Sequence, residues 1–149
     1  MKLSEIITPE HIILDLAAPS KSRLMHVLSD VSANHLHLGQ NAIFAALDKR
    51  EKLGSTGIGE GIAIPHAPVP GLTKPFALFA RLSKPIDFNA IDENPVDIVV
   101  VLLTPAEKPL PNLGLLACLA RTLRKTDRIA RIRTASDVAD VHRAIVEEE

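Results

Sequence analysis

The stretch VDIVVVLL, residues 96–103, decides the fold of this chain. Asp97 is its one polar residue, so it lacks the alternation of a strand that faces water on one side. FALFARL (76–82) predicts a second strong strand, because it is also apolar and bounded by prolines. We therefore expect 96–103 to form a central strand that is covered on both faces.

Shorter elements surround these two strands. HIILDL (11–16) and IAI (62–64) predict further strands. Ser20, Asp127 and Ser136 are candidate helix caps, and helical periodicity predicts helices over 21–34, 39–51, 112–125, 127–135 and 136–148. Helices precede and follow the strands, so we expect an α/β fold: one domain over 1–149, with a mixed, mostly central β-sheet flanked by helices on both faces.

Composition excludes several functional classes. The 149 residues carry a formal net charge of −1, with four Phe and no Trp or Tyr, which argues against a nucleic-acid partner. No apolar run is long enough for membrane insertion, and the N-terminus does not resemble a signal peptide. The single cysteine, Cys118, excludes an internal disulfide and is typical of a reducing compartment. We expect a cytoplasmic protein.

Two groups of charged residues have ordinary interpretations. We expect an acidic cluster to form a polar turn at Asp92, Glu93 and Asp97, although Asp97 could approach a site because it starts the central strand. We expect a basic run to form a solvated face at Arg121, Arg124, Lys125, Arg128, Arg131 and Arg133.

The glycine-rich segment GSTGIGEG (54–61) is the first candidate site. Its spacing matches neither the dinucleotide fingerprint nor a Walker loop. Clustered glycines let backbone N–H groups approach an anion, and they also serve irregular loops that need positive φ. Both interpretations stay open at this point for the segment's candidate phosphate-binding residues, Gly57, Ile58, Gly59 and Gly61.

His66 is the second candidate. It follows Pro65, whose fixed φ holds the backbone stiffly, and an imidazole on a rigid element can act as a nucleophile or proton carrier. A lone histidine is more often structural, so the spacing alone leaves both roles open. No histidine pair has the spacing of a metal site, and we expect no metal and no organic cofactor.

Two longer stretches carry a family resemblance: REKLGSTGIGEGIAIPHA (50–67) and KPIDFNAIDENPVDIVVVLLTP (84–105). Both resemble the fructose/mannitol-type enzyme IIA domains of the bacterial phosphotransferase system, most of all their nitrogen-regulatory branch. The resemblance implies that His66 accepts a phosphoryl group from an HPr-type phosphocarrier and that Arg50 holds this group. It also implies regulatory targets such as potassium-transport components or sensor kinases.

The chain departs from the family's pattern at two positions. Asn112 stands where the family usually carries a second histidine, and Ala67 replaces its usual glycine. An Asn amide donates a hydrogen bond but cannot become cationic, and Asn also commonly caps a helix. Three hypotheses follow: a phosphorylatable regulator, a sugar-specific IIA that relays phosphate to a IIB domain, and a binding module of this fold without phosphotransfer.

Overall fold

The computed structural model describes residues 2–108 and 114–147. Within these ranges the chain forms six strands in one sheet, six α-helices and a short 3-10 helix, Pro9–His11. The strands are β1 (Ile12–Leu16), β2 (Gly57–Gly59), β3 (Ile62–Ala63), β4 (His66–Val69), β5 (Phe76–Ile86) and β6 (Val96–Pro105). The helices are α1 (Leu3–Ile6), α2 (Lys21–Leu36), α3 (Gln40–Glu51), α4 (Leu115–Arg124), α5 (Thr126–Thr134) and α6 (Val138–Val146).

The sheet is mixed, and β6 lies inside it. Its order is β1-β5-β6-β3-β2, with β4 also paired to β6. β5 and β6 run antiparallel, whereas β3 and β4 both run parallel to β6. Because β6 pairs on both edges, its backbone polar groups find partners within the sheet. The expected mixed sheet with a central strand at 96–103 is confirmed.

Alternate side chains of β6 enter two separate cores. Val99, Val101 and Leu103 pack with buried residues of α2 and α3, such as Leu28 and Leu47. On the opposite face lie Ile98, Val100 and Leu102, packed with residues of α1, α4, α5 and α6. Helices therefore cover both faces, which is why the strand shows no polar alternation.

The predicted element ends need three corrections. Ser20 does cap α2, because its side chain accepts a hydrogen bond from the amide of Arg23 at 3.2 Å. Asp127 is wrong as a cap, since α5 begins one residue before it. Ser136 is also wrong: the neighbouring Asp137 accepts from the amide of Asp140 at 2.9 Å and caps α6. Residues 112 and 113 of the predicted helix 112–125 lie outside the described residues, and α4 begins at Leu115, after Gly114.

Two short strands were missing from the sequence prediction. β2 is glycine-rich and β4 contains a proline, so neither has strong strand propensity. Both exist through pairing, β2 with β3 and β4 with β6. A tertiary contact, rather than local preference, defines them.

The basic run is not simply a solvated face. Arg128 is buried and donates to the carbonyl of Ile145, and Arg133 pairs with Asp97. The expected solvated face is therefore wrong for these two arginines, which tie α5 to neighbouring elements.

In the part of the chain that the structure describes, no helix is long and apolar enough to cross a membrane.

Candidate active site

His66 lies on a segment that runs along one edge of β6. β3 pairs with β6 at Ile62 and Ile98, and β4 pairs with it at His66 and Leu102. Between the two strands, the carbonyl of Pro65 accepts a hydrogen bond from the amide of Leu102 at 2.9 Å. Pro65 has no N–H and a restricted φ, so it interrupts the strand without freeing the backbone. The backbone at His66 is fixed to the central strand on both sides of this interruption.

The His66 ring has a defined orientation and tautomer. Its Nδ1 lies 2.8 Å from the carbonyl oxygen of Ile64. Because a carbonyl oxygen only accepts, Nδ1 carries the proton and donates it. The lone pair of the neutral ring is then on Nε2. The residue is partly exposed, and a neutral imidazole nitrogen with a free lone pair has the chemistry of a nucleophile.

Arg50 lies at the end of α3, the helix that packs against β4. Its Nη1 donates to the carbonyl of Gly54 at 2.9 Å, and the residue is partly exposed. The guanidinium therefore retains further N–H donors, since one guanidinium has five. Its hydrogen bond goes to the loop after α3 rather than to the His66 ring.

The loop after α3 links Arg50 to His66 through backbone contacts. Gly54, which holds Arg50, lies two residues before Thr56. The carbonyl of Thr56 accepts from the amide of Ile64 at 3.0 Å, and the carbonyl of Ile64 holds the His66 ring. The arginine and the histidine of the predicted site thus share one connected loop-and-strand framework.

Close packing explains why glycine occupies two positions of this segment, 57 and 61. A Cβ added at Gly57 would lie 2.8 Å from the Cβ of Ala90. A Cβ added at Gly61, whose φ is +82°, would lie 2.5 Å from Nη2 of Arg133. At both positions a neighbouring residue already occupies the space that a side chain needs.

The glycine segment also lies to one side of His66. Gly59 pairs with Ile62 at the level of Ile98, whereas His66 pairs with Leu102. Ile98 and Leu102 are four residues apart on β6, so these two levels of the sheet are about 13 Å apart along the strand. The Gly57 amide donates to Oγ of Ser55 at 3.1 Å. The carbonyl of Ile58 accepts from Arg124. A phosphate-binding role of these residues stays a prediction.

The far end of the β2–β3 hairpin is held by charged side chains. Arg133 donates to both carboxylate oxygens of Asp97 and, at 2.6 Å, to the carbonyl of Glu60. The amide of Glu60 donates to Asp92 at 2.9 Å. This amide and that of Asn94 lower the pKa of the Asp92 carboxyl below its usual value. Asp97 therefore serves the hairpin rather than the His66 ring.

Asn112 lies outside the described residues. Within those residues, no group of three or more His, Cys, Asp or Glu side chains is arranged to hold a metal ion. A pocket of about 380 Å³ lies between α2 and the end of α3, and Lys21 and Glu51 line it. Its charged groups are paired, Lys21 with Glu51 and Lys52 with Asp48, so they need no ligand for neutralisation.

This fold and this motif can be compared with known proteins. A family model described as "Phosphoenolpyruvate-dependent sugar phosphotransferase system, EIIA 2" matches residues 5–148. The chain belongs to this EIIA 2 family. A nitrogen regulatory protein of Bradyrhizobium diazoefficiens is 39% identical over 142 residues, which cover 95% of this chain and 93% of the relative. That of Escherichia coli is 35% identical over 150 residues, covering 100% of this chain and 92% of the relative.

A solved EIIA 2 structure is similar over nearly the whole chain. The crystal structure of nitrogen regulatory protein IIA-Ntr from Neisseria meningitidis gives a TM-score of 0.90 at 32% identity. The match covers 96% of this chain and 98% of that one. The resemblance seen in the two sequence stretches is confirmed, and so is the α/β fold expected from the order of predicted helices and strands.

Sequence reasoning missed two residues that lie next to the candidate site. Glu51 and Thr56 both lie in the quoted REKLGST segment. Their side chains form a hydrogen bond with each other, and the Thr56 carbonyl accepts from the amide of Ile64, whose own carbonyl holds the His66 ring. A carboxylate five residues before a threonine gives no signal of its own, because the pairing depends on the path of the loop between them. The sequence indicated their importance in one way, since both residues lie inside the family motif.

Proposed function

We propose that this EIIA 2 protein accepts a phosphoryl group on Nε2 of His66 from the phosphohistidine of an HPr-type phosphocarrier. The observation that supports this most is the bond from Nδ1 of His66 to the Ile64 carbonyl. It leaves one ring nitrogen with a lone pair, on a partly exposed ring that cannot rotate without losing a hydrogen bond. In-line phosphoryl transfer depends mainly on such positioning.

The transfer balances without a cofactor. The P–N bond of the carrier's phosphohistidine breaks as a new P–N bond forms to Nε2 of His66, and the carrier's ring nitrogen regains its electron pair. His66 keeps its Nδ1 proton, so its ring becomes cationic. The hydrogen bond to Ile64 strengthens in that step because its donor becomes charged. Arg50, with donors left over, is the proposed partner of the transferred oxygens.

The proposed role of the modification is regulatory. A phosphoryl group adds about two negative charges and three strong acceptor oxygens to a surface position. A partner protein can distinguish the two forms by that charge. The nitrogen regulatory names of the relatives support this function. Potassium-transport components and sensor kinases are the proposed targets, and the cytoplasm is the proposed location.

Labelling tests the proposal directly. The protein is incubated with radioactive phosphoenolpyruvate, enzyme I and the nitrogen-branch carrier. We expect an acid-labile, alkali-stable label that His66→Ala abolishes, and a phosphorus NMR signal of Nε2-phosphohistidine. His11→Ala is a matched control, since His11 also directs Nδ1 to a carbonyl, that of Ile6 at 3.0 Å. Label that persists in His66→Ala, or no label on the wild type, contradicts phosphotransfer at this ring.

Onward transfer separates the regulator from a sugar relay. The labelled protein is mixed with IIB domains of the fructose and mannitol type. We expect the label to stay on His66, since the proposed product is the phosphorylated regulator itself. Rapid loss of label to a IIB domain contradicts the regulatory proposal, and Asn112→His then tests whether the family's second histidine at that position accelerates the relay.

A further inference from the structure

Glu51 is an almost buried carboxylate with three partners. Its side chain is 8% exposed and lies 2.8 Å from Nζ of Lys21. Its two oxygens also accept from Thr56, one from the backbone amide at 2.9 Å and the other from Oγ1 at 2.5 Å. A buried carboxylate is costly unless it is paired and hydrogen-bonded, and this one is both. The arrangement holds Thr56 by two bonds at once.

Thr56 holds the residue whose carbonyl orients the His66 ring. It is buried, and its carbonyl accepts from the amide of Ile64. The carbonyl of that same Ile64 accepts from Nδ1 of His66. The peptide groups on either side of Ile64 are thereby fixed, one through Thr56 and the other through the ring. A displacement of Thr56 changes the direction of the carbonyl that selects the tautomer.

We infer that Glu51 and Thr56 are positioning residues for the reaction at His66. They hold the Ile64 peptide so that its carbonyl keeps the proton on Nδ1 and leaves Nε2 as the acceptor of the phosphoryl group. Neither side chain touches the reacting atoms. The inference rests on the proposed phosphotransfer for its catalytic meaning, whereas the effect on the His66 ring is independent of it.

The same pair also bears on Arg50. Glu51 follows Arg50 directly at the end of α3, and the loop that Glu51 ties down contains Gly54, the acceptor of the Arg50 guanidinium. One carboxylate therefore orients both ends of the proposed site. Lys21 completes the cluster: its ammonium donates to the carbonyl of Phe88 at 3.2 Å, and its charge offsets that of Glu51.

The test uses the full chain and two readouts. Thr56→Val removes one hydroxyl and keeps the shape and the backbone amide. We expect nitrogen NMR of the unphosphorylated protein to show a smaller Nδ1–H fraction at His66. We expect the rate constant of phosphorylation to fall roughly tenfold, because a small misplacement from outside the reacting groups has effects of this order or larger. Thr56→Ser restores the hydroxyl and should recover both values.

A matched control comes from the N-terminal region. Thr8 also donates its hydroxyl to a carboxylate, that of Glu10 at 2.6 Å. Thr8→Val should leave the His66 ring and the rate unchanged. Glu51→Gln, checked for folding by circular dichroism, should act in the same direction as Thr56→Val.

The two proposals fail in different ways. If Thr56→Val and Glu51→Gln fold and leave both the ring signals and the rate at wild-type values, the positioning inference is overturned. A ring shift with an unchanged rate, in protein that accepts label, overturns it as well. A wild-type chain that never accepts label overturns the phosphotransfer alone, and the ring signals of the variants still decide whether Glu51 and Thr56 set the tautomer.

Discussion

Gly57→Ala should destabilise the protein through one identifiable contact. The added methyl would lie 2.8 Å from the Cβ of Ala90 and 3.1 Å from its Cα. Two carbons pack best at about 3.5–4.0 Å, so the overlap is about 1 Å. Ala90 is buried and cannot swing aside. We expect the free energy of unfolding to fall by about 1–3 kcal/mol, the usual cost of overpacking.

The paired change Ala90→Gly isolates that contact. Alone, it removes a buried methyl and loosens the backbone, and should cost about 1–2 kcal/mol. In the double variant the Cβ of residue 57 occupies the vacated space. Part of the overlap remains, because the Cα of residue 90 is also close. We expect the double variant to be more stable than the sum of the single effects by about 1–2 kcal/mol.

Urea unfolding with an unchanged m-value measures all four free energies. If the two single effects add within about 0.5 kcal/mol, the contact with Ala90 is not the reason for glycine at this position. Phosphorylation of the same proteins then separates packing from anion binding. Alanine keeps the backbone N–H, and that amide already bonds to Ser55. If the phosphorylation rate of the variants falls only where their free energy of unfolding falls, glycine is required at position 57 for packing.

Three further expectations follow from other sites. Arg50→Ala should slow phosphorylation of the protein about a hundredfold if the guanidinium binds the transferred oxygens, and Lys49→Ala, one residue earlier and exposed, should not. Phe79→Ala should lower the free energy of unfolding by about 3–5 kcal/mol, because Phe79 is fully buried, whereas Leu53→Ala, at a residue 82% exposed, should change it by less than about 0.5 kcal/mol. Two backbone amides lower the pKa of Asp92 in the folded protein, so its contribution to stability is present above its unfolded-state pKa and is lost as the pH falls through the folded-state pKa. Urea midpoints of wild type and Asp92→Asn should therefore differ more at about pH 6 than at about pH 3.

The sequence predicts the strands and helices whose residues show a clear pattern. β6 and β5 were predicted because a long apolar run has few alternatives to a covered strand, and α2 because Ser20 and the helical spacing agree. β2 and β4 could not be predicted, because glycine and proline have low strand propensity. These two strands form through pairing with β3 and β6. The predicted caps of α5 and α6 were wrong by one or two residues. At α6 the neighbouring Asp137 accepts from the helix amide instead of Ser136, and α5 begins after Lys125 without a side-chain cap.

The candidate site was predicted unevenly. His66 and Arg50 came from the motif and its family resemblance, and the structure places them on one connected framework. The tautomer of His66 could not be predicted, because it depends on a carbonyl whose direction is set by the fold. The contacts between Glu51 and Thr56 depend on a loop path that no local propensity encodes.

The place of His66 beside β6 limits how its modification can act. Its backbone pairs with Leu102, a residue buried on a strand that is itself bonded on both edges. Core strands such as β6 open at the highest free energies, up to that of global unfolding, so their amide hydrogens exchange slowest. β4, which carries His66, is paired to this strand. We therefore expect phosphorylation of His66 to leave the backbone of β6 unchanged. We expect a partner protein to recognise the added charge itself, because the fold around His66 stays the same.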